Sequence, residues 1–181
     1  MAQDFEFALR LIAREHGVMR IRCSMVRLLS FLALGLSICT MRADEKPMMR
    51  AVVAHEYGAP DVLKIEQVPR PQPNDDEALV RVIASSVNPA DPLTLSGKYA
   101  KEFGTHLPLI PGYDIAGVVE KTGSSVTRLK VGDAVYGYPT FGGGWADYIT
   151  VKEWEVGPKP KSLNFVEAAA VPMGALTAWQ A

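Results

Sequence analysis

Asn88-Pro89-Ala90-Asp91 is the segment whose residue types and spacing point most directly to chemistry. Pro89 and Pro92 stop the strand expected from Glu77 to Val87, so Asn88 falls where a strand ends and a turn begins. A carboxamide there can face a cleft and orient a ligand by hydrogen bonding, or it can satisfy local backbone groups. Asp91 ahead of Pro92 is expected to cap a single helical turn that ends at Gly97. The second segment of interest is Pro111-Gly112-Tyr113-Asp114, followed by Gly117 inside a strand run. A glycine within a strand marks a bulge or a close backbone approach. With Asp114, the two glycines put an irregular rim on a β-scaffold, which is either architecture or the edge of a site.

Other chemistries are narrowed by what the chain lacks. The only cysteines are Cys23 and Cys39, so nothing from Tyr57 onward can form a disulfide framework or a cysteine-based zinc site. His55 and His106 are the only histidines beyond residue 16, far apart in sequence, and read as surface or satisfied core side chains. There is no GxGxxG, P-loop, HExxH or GxSxG motif. Gly142-Gly143-Gly144 is not a dinucleotide fingerprint, because a strand follows it where a helix should. A net charge of −1, with 22% charged and 48% hydrophobic residues, gives no basis for nucleic-acid binding.

The elements that must position these residues are short and mostly extended. Strands are expected at Arg50–Ala54, at Val62–Val68 and over Glu77–Val87, the last with a bulge because its apolar period is imperfect. Pro69, Pro71 and Pro73 stiffen the connection between the last two. The run from Leu107 to Tyr138 reads as strand, turn and strand, with corners at Gly123-Ser124-Ser125 and Gly132-Asp133. A further strand is expected over Ala146–Val151. Ser162 or Asn164 caps a helix with Glu167 in its first turn; Pro172-Met173-Gly174 is expected to break it, and a new helix to begin at Ala175. A helix stopping inside its second turn has little cooperative stability, so the end reads as a truncation.

Residues 1–47 form a leader of different texture. Met25-Val26-Arg27 precedes the apolar run Leu28 to Cys39, too short for a membrane span but shaped like a signal-peptide core. Three readings stand: export through segment 25–43, a membrane-surface tether, or an over-extended start ahead of Met48 or Met49. The last places the protein in the cytoplasm.

Six segments in order resemble one family. They are Met49-Arg50-Ala51-Val52, Asn88-Pro89-Ala90-Asp91, Pro111 to Val119, Val131 to Gly137, Gly144 to Tyr148, and Glu167 to Ala170 leading to Leu176-Thr177-Ala178-Trp179-Gln180. The pattern resembles the amino-terminal half of a zinc-independent quinone oxidoreductase of the zeta-crystallin-like branch of the medium-chain dehydrogenases/reductases. The resemblance implies a mainly β fold with short helices, a GroES-like, partly open β-barrel over residues 48–174. Residues 175–181 would start the helix leading to an absent Rossmann domain. It implies hydride transfer from NADPH to a quinone or α,β-unsaturated carbonyl, without a metal, in a full-length form that is a homodimer. Asn88, Pro89, Asp91 and Thr177 would meet the cofactor, with Asn88 and Tyr99 as the catalytic candidates; Asp91 would cap its turn rather than titrate. Metal-dependent relatives place their first cysteine ligand near Asn88 to Asp91, and a His-Glu pair where this chain has Tyr113 and Asp114. Relatives' Tyr and Arg fall at Leu93 and Leu95, so Tyr99 is the replacement hydroxyl. A second reading is a non-catalytic GroES-like β-barrel binding or assembly module.

Overall fold

The computed structural model describes residues 46–102 and 104–181; the signal-like segment 25–43 lies outside the described residues. The alternating runs become strands. β1 (Met48–Ala54) and β2 (Leu63–Pro69) pair as an antiparallel hairpin, with Ala54 opposite Leu63, across a 3-10 turn at Pro60–Val62. β3 (Glu77–Ser85), β4 (Ile115–Thr122), β5 (Ala134–Gly137), β6 (Tyr148–Lys152) and β7 (Val156–Pro158) form an antiparallel sheet in the order β6-β3-β4-β5-β7. Both β6 and β7 are edges, so the curled sheet stays open. Val80, Ile115, Val119, Val135 and Val151 fill its interior. Each such side chain contributes about 1.5–3 kcal/mol when fully buried.

The irregularities expected in β3 are present. Its pairing with β4 shifts register between Leu79 and Val80 and again between Val82 and Ala84. Gly117 lies opposite Val82, and a Cβ there would sit 2.2 Å from the Arg81 carbonyl oxygen. The close approach accounts for the glycine.

The hairpin is fastened to the sheet by the segment before β6. Val52 N–H donates to the Trp145 carbonyl at 2.8 Å, and Asp147 N–H to the Arg50 carbonyl at 2.9 Å. The Arg50 guanidinium grips the Asp147 carboxylate at 3.0 and 3.2 Å. Residues 146 and 147 thus pair with β1, and β6 starts at Tyr148 rather than at Ala146 as the alternation predicts.

The helices are short. α1 (Ala90–Leu95) begins two residues earlier than expected: Pro89 is at the N-cap, and Asp91 sits inside the first turn instead of capping it. α2 (Phe165–Ala169) carries the expected capping box, with Glu167 N–H on Asn164 Oδ1 at 2.9 Å and Asn164 N–H on Glu167 Oε2 at 2.8 Å. α3 (Pro172–Gln180) corrects the expectation that Pro172 to Gly174 break a helix and that the next begins at Ala175. Proline at the first helical position has no N–H to satisfy and starts the helix. β7 was not expected, because Gly157 and Pro158 mask a three-residue edge strand. No helix among the described residues is long and apolar enough to cross a membrane.

Three outcomes follow for stability. Gly117→Ala forces β3 and β4 apart and lowers the unfolding free energy by about 2–3 kcal/mol in urea titrations. Gly174→Ala, in α3 with nothing within 4 Å of the added methyl, raises it by about 0.5–1 kcal/mol. The hydrogen bond from Arg50 holds the Asp147 carboxyl below its ordinary value. A lowered folded-state value gives stability above the unfolded value that is lost as pH falls, so the gap between the wild-type chain and Asp147→Ala narrows on acidification in thermal melts.

Candidate functional site

Two buried carboxyl groups organise the region around Asn88. Asp91 and Asp114 are 2% and 1% exposed, and neither makes an ion pair among the described residues. Buried carboxyl groups without cations must be met by N–H and O–H donors. Asp91 accepts the Asn88 backbone N–H at 2.6 Å on Oδ2 and the Gly112 N–H at 2.9 Å on Oδ1. It therefore ties the start of α1 to the Pro111-Gly112 bend. Gly112 has φ +97°, and a Cβ there would meet the Trp145 ring at 2.4 Å, so both conformation and space require glycine. Burial raises the Asp91 pKa, with the Asp114 charge adding to it.

Asp114 gathers three elements. Its Oδ2 accepts from the Ser86 hydroxyl at 3.0 Å and from Asn88 Nδ2 at 2.9 Å. Its Oδ1 accepts the Met173 N–H at 3.0 Å. Met173 is in the first turn of α3, whose N-cap residue Val171 offers no side-chain cap. Asp114 thus caps α3 from another element, where the positive end of the helix dipole favours a carboxylate. The backbone around it is fixed as well: Ser85 Oγ donates to the Asp114 carbonyl at 2.6 Å, and Trp145 Nε1 to the Ser86 carbonyl at 3.0 Å.

The sequence candidates are placed as follows. Asn88 is partly exposed in the connection between β3 and α1, with Nδ2 also on Ser86 Oγ at 3.0 Å. Thr177 is exposed on α3, one turn beyond Met173 and on the same helix face. Through Asp114, Asn88 and the helix bearing Thr177 are joined. Pro89 is at the α1 N-cap. Tyr99 lies beyond α1, with the Lys98 ammonium 5.3 Å from its ring centre, and the hydrogen bonds of the Asp91–Asp114 cluster do not include it.

Sequence reasoning missed Ser86 and the Met173 amide, because neither a serine after a strand nor a backbone N–H has a signature. It also missed the aromatic wall. Tyr113 stacks on Tyr138, ring centres 5.6 Å apart, and its hydroxyl meets the Thr94 hydroxyl at 2.8 Å. Burial raises the pKa of both tyrosines. A separate groove of about 500 Å³ lies between Tyr138, Trp154, Pro172, Leu176 and Trp179; Asn88 and Thr177 do not line it.

Residues 74–161 match the alcohol dehydrogenase GroES-like domain. The chain is 43% identical over 141 residues to the 2-methylene-furan-3-one reductase of Solanum lycopersicum, covering 73% of this chain and 36% of that protein. It is 40% identical over 139 residues to the chloroplastic NADPH-dependent alkenal/one oxidoreductase of Arabidopsis thaliana, covering 72% and 36%. The solved quinone oxidoreductase of Coxiella burnetii superposes with a TM-score of 0.69 at 34% identity, over 74% of this chain and 44% of that one. The chain spans 36–44% of the length of these relatives.

Asp91→Ala leaves the Asn88 and Gly112 amides without partners and destabilises the chain by about 2–3 kcal/mol in urea titrations. A raised folded-state value means that stability is gained as pH falls through it. The gap between wild type and Asp91→Ala therefore widens in acid, opposite to the Asp147 case.

Proposed function

We propose that this chain, which belongs to the zinc-independent quinone oxidoreductase branch of the medium-chain dehydrogenases/reductases as its amino-terminal half, is the acceptor-side half of an NADPH-dependent reductase. The acceptor is a quinone or an α,β-unsaturated carbonyl. The observation that carries the reading is the Asp114 joint, which holds Asn88 and the first turn of the Thr177 helix on one carboxyl group. Asn88 keeps an unspent Oδ1, and Thr177 keeps an exposed hydroxyl; neither has a recorded partner among the described residues. Both fit the nicotinamide end of NADPH.

When bound, the cofactor supplies a hydride to an electron-poor carbon. The chain's own residues bind and orient. Thr177 donates a hydrogen bond to the cofactor, and Pro89 and Asp91 fix the turn that presents Asn88. Tyr99 offers its hydroxyl to the acceptor oxygen. The donor set is not that of a metal centre: residues 46–181 contain no cysteine, and Tyr113 stands where metal-dependent relatives carry histidine. On this reading turnover calls for a nucleotide-binding half that supplies the glycine-rich phosphate turn, and a start at Met48 or Met49 puts the protein in the cytoplasm.

The test is to supply that half. The full chain is mixed with a separately expressed nucleotide-binding half of a quinone oxidoreductase, and NADPH consumption is followed with 1,4-naphthoquinone. The expected result is turnover absent from either part alone, reduced at least about tenfold by Asn88→Ala and with KM for NADPH raised about 5–10-fold by Thr177→Val. A well-folded mixture that neither binds nor oxidises NADPH overturns the reading in favour of a non-catalytic GroES-like binding module.

A further inference from the structure

The groove beside α3 combines aromatic rings with an unanswered negative charge. Tyr136, Tyr138, Trp154 and Trp179 line its space of about 500 Å³, together with Glu155. Trp154 and Trp179 are 67% and 89% exposed, so both rings meet solvent rather than a core. Tyr138 is fixed by its stack on Tyr113, ring centres 5.6 Å apart. The face of an aromatic ring is the negative part of its quadrupole. Among the described lining residues, Glu155 carries the only formal charge. Its half-buried carboxylate is held in place, Oε1 accepting the Thr140 N–H at 2.8 Å and Oε2 the Lys152 N–H at 2.7 Å. It makes no ion pair among the described residues, because the Lys152 ammonium lies on Asp76 and Glu77 instead. Burial raises the Tyr138 pKa, and Tyr113, Asp114 and Asp91 raise it further, so the two buried carboxyl groups also act on this wall.

We propose that this groove is a cation–π site for a small quaternary ammonium compound, held against Trp154, Trp179 and Tyr138 with the Glu155 carboxylate as its counter-charge. The proposal stands apart from the reductase reading. An anion is opposed by the local field, and a neutral apolar ligand leaves the Glu155 charge unanswered. A primary ammonium is a compact, strongly hydrated charge with N–H donors that ring faces satisfy poorly. A quaternary ammonium has no N–H to satisfy, and its methyl groups carry the charge onto the rings.

The test uses the full chain and saturation-transfer NMR with three probes: choline, ethanolamine, and 3,3-dimethyl-1-butanol, in which carbon replaces the charged nitrogen of choline. Choline is expected to bind at about 5–10-fold lower concentration than either of the others. Trp154→Leu and Trp179→Leu keep apolar bulk but remove the ring. Each weakens choline binding at least about threefold, leaves the butanol unaffected and keeps the wild-type circular dichroism. Equal affinity for choline and its neutral isostere reduces the groove to an apolar surface. Ethanolamine binding as tightly as choline reduces it to a plain carboxylate contact. An absence of saturation transfer to choline, or choline affinity unchanged in both variants, removes the site from this groove. Any of these outcomes overturns the inference, and none of them bears on NADPH turnover in the two-part mixture.

Discussion

One carboxyl group, that of Asp114, carries the geometry on which the rest depends. It is buried without a cation, and its three donors come from the Ser86–Asn88 turn and from the first turn of α3. A buried charge is tolerated only when its donors are in place, since an unsatisfied one costs several kcal/mol. The cost enforces the arrangement: the turn and the helix are each held where the carboxyl group needs them. Asp91 repeats the device with two backbone amides and fixes the approach of α1 to the Gly112 bend. The polar cluster is thus rigid because it is buried, which is the condition a site needs to orient a ligand.

The sheet beneath supplies the platform. β3 is shared, pairing with β6 through its first half and with β4 over nearly its whole length, and its two register shifts turn the Ser85–Asn88 end toward the start of β4. Gly117 permits that crossing by admitting the Arg81 carbonyl. The Arg50–Asp147 clamp closes the hairpin onto the same side and leaves Trp145 to support Ser86.

Much of this was legible in the residues. Alternation located six of the seven strands, and the imperfect period of Glu77–Val87 marked the bulges. Asn164 and Glu167 announced their capping box, and Gly117 its close approach. What failed did so for physical reasons. Pro172 was read as a breaker, yet a proline is a breaker only when a preceding turn needs its N–H; Ala169 ends α2, so Pro172 is free to begin α3. Asp91 was read as a cap from its place before Pro92, whereas it accepts the Asn88 amide on the turn before the helix and the distant Gly112 amide, which no local spacing announces. The candidate site was half visible. Asn88 and Asp114 stood out singly, but that one holds the other, with Ser86 between them, is a property of folded space that no spacing encodes.

The separations within the Asp114 cluster bear on how the chain is made. Its donors lie 28, 26 and 59 residues away, the farthest being Met173. During synthesis the sheet's inner strands leave the ribosome well before that amide does. Until it arrives, the nascent barrel carries an acidic group whose last donor has not been translated. Completion of the polar cluster therefore waits on emergence of α3 rather than on collapse of the β-core.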